Sequence, residues 1–106
     1  MSDGTEQAAA PTLLIGEAPG PEGALRIAFA ALDSGLLARV GPARVICRLF
    51  APEADAMAVA ETLAALGWAG RLTVVAPGLP NRAMVQRELQ ASAGRVKIEV
   101  VPALQG

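Results

Sequence analysis

The sequence predicts an α/β fold: a three-layer α/β/α domain built on a four-stranded parallel sheet of order 2-1-3-4. Three observations lead there. Short apolar runs recur along the chain, and each closes on a proline: Pro19, Pro52, Pro77 and Pro102. Proline lacks a ladder N–H and fixes φ, so it ends a strand at a defined point. The stretches between the runs carry apolar residues at helical spacing and stop at Gly41, Gly67 and Gly94. Strands that alternate with helices are what parallel pairing through crossovers requires.

Residues 1–11 offer little to bury and read as a flexible leader, with 12–106 as a single α/β domain. The first strand spans about Thr12 to Gly16. The first helix follows, with Pro21 in its first turn, Glu22 near its positive end and Gly41-Pro42 as its stop. Its stripe is Leu25, Phe29, Leu32 and Leu36. The second strand runs from Arg44 to Phe50, and the second helix from Glu53 to Leu66. The third strand is Arg71 to Ala76. The third helix starts near Pro80-Asn81 and ends before Gly94, and Arg95 to Val101 is the fourth strand.

Side-chain alternation suggests the strand order. A strand covered on both faces reads as a continuous apolar run, whereas one with a wet face alternates. The fourth strand alternates Val96, Ile98 and Val100 with Lys97 and Glu99, and the second carries Arg48 between Ile46 and Phe50. Both are therefore placed at the edges. Right-handed crossovers then set the first helix alone on one face, with Thr73, Lys97 and Glu99 pointing at the uncovered area beside it. In architecture, though in no sequence motif, this arrangement resembles a truncated flavodoxin-like or Rossmann-like sheet.

Ligands on open parallel sheets sit beyond the strand carboxyl ends, where the winding reverses. Under the order 2-1-3-4 that crevice lies between the first and third strands, at the loops 16–23 and 77–82. Its candidate ligand-binding residues are Glu17, Gly20, Gly23, Asn81 and Arg82. Arg82 suits a carboxylate or phosphate, aided by the helix start. The plainer reading makes Asn81 a helix cap and Arg82 a solvated or Glu17-paired cation. The first loop lacks both phosphate-loop spacings, and Pro19 and Pro21 remove N–H donors from it. Glu53 and Asp55 fit the first turn of a helix without any ligand.

The residue inventory disfavours catalysis. There is no histidine and no tyrosine, and Lys97 is the only lysine. Cys47 lies mid-strand beside Val45 and Leu49 on one face and reads as an inert core thiol. No metal site and no cofactor are implied. A net charge of −1 gives no general attraction to nucleic acid. The basic residues Arg44, Arg71 and Arg95 all precede strands, so they gather at one end of the sheet. No apolar stretch approaches the ~20 residues of a membrane span. The single cysteine and the polar start suit a soluble cytoplasmic protein. Eight arginines to one lysine point to a high-GC bacterial genome.

The function these residues favour is non-catalytic binding: to a small metabolite, or to a protein partner or a second copy through the first-helix face or the edge strands. The alternative is a metabolite- or nucleotide-binding enzyme, or a fragment of one, with its site at the loops named above.

Overall fold

The computed structural model describes residues 11–104; the expected leader, residues 1–11, lies outside them except for Pro11. In chain order the elements are β1 (Thr12–Ile15), β2 (Leu25–Ile27), a 3-10 turn (Phe29–Ala31), α1 (Ser34–Val40), β3 (Arg44–Arg48), α2 (Ala56–Ala65), β4 (Arg71–Val75), α3 (Arg82–Ala91) and β5 (Lys97–Val101). One sheet holds all five strands in the order β2-β1-β3-β4-β5, and every pairing is parallel. The α/β class and the parallel sheet follow the proline-closed runs. No helix among the described residues is long and apolar enough to cross a membrane.

The region expected to form one long first helix is divided. Gly23, at φ 88°, breaks the chain before it becomes regular. Leu25-Arg26-Ile27 then pairs with β1 as an additional edge strand. The helix proper begins only after Asp33, whose carboxylate accepts from Leu36 N at 2.8 Å and caps it. At the other end Gly41, in the left-handed region, donates to Leu37 O at 2.8 Å. Leu25 and Leu36 do lie at helical spacing, but Leu25 and Ile27 also satisfy a period of two.

The strand order departs from 2-1-3-4 in a way that matters. β3, expected at an edge, is interior and pairs with both β1 and β4. The first and third of the expected strands are therefore not neighbours. Arg48 does not mark an edge; it terminates β3, and its Nε donates to Glu17 O at 3.2 Å. Alternation reports a face without helical cover, and an interior strand has such a face when helices lie on one side only.

That is the case here. From β2 the chain steps in one direction across the sheet through α1, α2 and α3, so right-handed crossovers place all three helices on the same face. The packing agrees. Leu36, Leu37, Val59, Leu63 and Leu89 from the helices share one cluster with Leu13, Val45, Leu72, Val74 and Ile98 from the strands. The step from β1 to β2 runs the opposite way, and its connection crosses the other face without a helix. There Leu14, Ile46 and Val75 pack with Ala18 and Ala24 of the connection and with Val101 and Leu104. The expected third layer is thus irregular chain rather than helix.

Candidate functional site

The winding reverses between β1 and β3, so the switch-point crevice opens at their carboxyl ends. It holds about 160 Å³ and is lined by Gly16, Glu17, Phe29, Cys47, Arg48 and Glu53 among others. Gly16 turns the chain out of β1 at φ 62°. Arg26 ties that turn down from β2, donating through Nη1 to Gly16 O and, at 2.8 Å, to Ala18 O. Glu53 Oε1 accepts from Phe29 N at 3.0 Å, pinning the segment after β2 to the loop after β3. Asp55 caps α2 by accepting from Ala58 N at 2.9 Å. Both carboxylates therefore have structural employment.

The residues singled out by sequence are dispersed. Glu17 is exposed at the crevice. Gly20 lies on the helix-free face, so close over Leu14 that a Cβ would collide with Leu14 Cδ2. Gly23 introduces β2. Asn81 caps α3, its Oδ1 accepting from Met84 N at 3.0 Å, and exposed Arg82 is the first residue of that helix. β3 separates the strands that carry the two loops, and the crevice at Glu17 is walled by β3 and its following loop. Of the five, only Glu17 lines it.

Cys47 borders the same crevice yet is 2% exposed. Burial, reinforced by the Asp55 carboxylate, pushes its thiol up to about 12. A neutral, enclosed thiol is a poor nucleophile. The native protein is expected to leave an aromatic disulfide reagent unconsumed near pH 8 and to react stoichiometrically once denaturant is added. The folded state keeps a proton that the unfolded chain releases, so stability should also fall as pH rises from about 9 towards about 12.

The helix-free face carries the stronger polar pattern. Register places Thr12, Arg44, Arg71 and Lys97 in one row across four strands. The next row is Arg26, Leu14, Ile46, Thr73 and Glu99. Arg44 Nε donates to Thr73 Oγ1 at 3.0 Å, and that hydroxyl donates to Glu99 Oε1 at 3.2 Å. Thr73 is 0% exposed, so both bonds are made in a sheltered site. Like charges directly opposite one another on adjacent strands are unfavourable. Arg71, between Arg44 and Lys97, has such a neighbour on either side. Arg71→Glu is therefore expected to raise the unfolding free energy by about 0.2–1 kcal/mol, measurable by urea titration.

Two hollows meet at Arg44. One, of about 440 Å³, is walled by Pro19, Pro21, Val101 and Leu104; the other, of about 380 Å³, is bordered by Arg71 and Lys97. Lys97 and Glu99, alternating with Val96, Ile98 and Val100, and Arg48 between Ile46 and Phe50 are the sequence signal for this face. An edge strand and an interior strand of a one-sided sheet show the same alternation, so this signal does not give strand position.

Comparison with family models, with curated proteins and with solved structures gives no match for this chain.

Proposed function

We propose that the chain is a non-catalytic binding module whose working surface is the helix-free face of the sheet. One observation carries this reading: interior strands β3 and β4 turn that face away from all three helices, and its strand charges are overwhelmingly positive. The strand order is the one flavodoxin-like sheets use, and there helices cover both faces. In this chain the β1–β2 connection, which contains no helix, crosses the face that its counterpart helix covers in such sheets. The buried high-pKa thiol and the lack of histidine weigh against catalysis. The arginine-rich, alanine-rich composition and single cysteine support a bacterial, cytoplasmic setting.

Site-specific photo-crosslinking of the full chain in cells tests the surface. A photoreactive residue replacing Arg48 or Val101, on the helix-free face, is expected to give discrete protein adducts. The same residue replacing Glu61 or Arg87, on the helices, is expected to give none. Adducts from the helical positions alone, or from no position, contradict the proposal.

The switch-point location favours a second reading, a small ligand held in the crevice that Glu17 and Arg48 line. The crevice of about 160 Å³ is below the ~300–1,000 Å³ of most such sites. This reading expects a nucleotide, adenosylmethionine, a flavin or a sugar phosphate to raise Tm, with the rise lost in Glu17→Gln. Silence across the panel removes it.

A further inference from the structure

Resting on the binding-module reading, we infer that the Arg44–Arg71–Lys97 row and the adjoining apolar hollow bind an acidic peptide segment of a partner protein, one that carries carboxylates on two alternate residues and an aliphatic side chain two residues further on. The row is a costly arrangement for a chain that gains nothing from it. Three cations stand in direct register on adjacent parallel strands, where like charges oppose folding. Glu99 engages the network from the next row, through Thr73, and does not interrupt the row itself. Arg71 and Lys97 are exposed, and Arg44 is half-buried. The bond to Thr73 uses only Nε of Arg44 and fixes the guanidinium, leaving the rest of its fork to meet a carboxylate.

The spacing suits an extended chain. Adjacent strands lie ~4.8 Å apart, so the row spans ~10 Å from β3 to β5. Carboxylates on alternate residues of an extended peptide are ~7 Å apart. Two of them therefore reach all three cations. The wider hollow begins at Arg44 and is otherwise walled by uncharged residues, Pro19, Pro21, Val101 and Leu104 among them. An aliphatic side chain two residues beyond the second carboxylate points to the same side of the extended peptide, enters the hollow and sheds water there.

The same face disfavours single-stranded nucleic acid, which needs aromatic platforms for its bases. Phe29 and Trp68 pack against the helix-side core, and Phe50 borders a groove between α2 and α3. None lies on the row.

Fluorescence anisotropy with the full chain decides the matter. The probe is a fluorescein-labelled peptide with the repeat Glu-Ser-Glu-Ser-Leu-Ser, which places glutamates and leucine on one side of the extended chain. The expected result is saturable binding that weakens at least tenfold in the Arg71→Gln/Lys97→Gln double variant, weakens with added salt and is unchanged in Arg87→Gln. A glutamate–serine peptide of the same length is expected to bind more weakly, because the hollow is unfilled. Absence of binding, equal loss in Arg87→Gln, equal affinity for the serine peptide, or tighter binding of oligothymidine each overturns the inference. Crosslinks from Arg48 and Val101 that persist in the double variant would overturn it too, yet leave the binding-module reading standing.

Discussion

Leu63→Ala is expected to lower the unfolding free energy by about 2–5 kcal/mol, the range for deleting a buried leucine side chain down to its Cβ. Leu63 is 0% exposed and belongs to the cluster that joins all three helices to the sheet. The chain is rich in alanine: α2 alone contributes Ala56 and Ala60 to that cluster. These small residues let α2 approach the sheet closely, so Leu63 is packed at interior density. Urea denaturation followed by circular dichroism measures it. A loss under 1 kcal/mol would mean that α2 does not seat on the sheet as described.

The second large effect lies on the opposite face. Ile46→Ala is expected to cost about 2–4 kcal/mol. Ile46 is 0% exposed although no helix covers it. Its cover comes from Ala18 and Ala24 of the β1–β2 connection, with Val101 and Leu104 packed against the same cluster. That connection is held by Arg26, which grips two carbonyls, and by Arg48, which bonds Glu17 O. Removing the grip should expose the patch that Ile46 fills. Arg26→Ala and Ile46→Ala are therefore expected to be less than additive in a double-mutant cycle, because residues sharing one packed unit couple. Full additivity would show that the connection does not shield Ile46.

These two sites also show what a sequence makes legible. The proline-ended runs and the glycine stops at Gly41, Gly67 and Gly94 located four strands and the general course of the helices, because both signals are local. Asn81 as a cap and Cys47 as a core thiol were legible for the same reason: capping and burial by near neighbours are properties of a few adjacent residues. β2 escaped because three residues pairing with β1 leave almost no local signature, and Leu25 also fits the stripe of Phe29, Leu32 and Leu36. Asp33-Ser34-Gly35 was the overlooked start signal for α1. Strand order is not a local property. Arg48, Lys97 and Glu99 revealed a face without helices, but an edge strand and a one-sided sheet produce the same alternation. The cationic row depends on register between β3, β4 and β5, so no single strand displays it.

The interior position of β3 carries the rest, since it places all three helices on one side and leaves Arg44, Ile46 and Thr73 on the other. Nuclear Overhauser contacts between backbone protons measure it directly. The fold described here requires β3 contacts on both sides, pairing Leu13 with Val45 and Cys47 with Val74. Contacts joining β1 directly to β4, with one side of β3 unpaired, would contradict it.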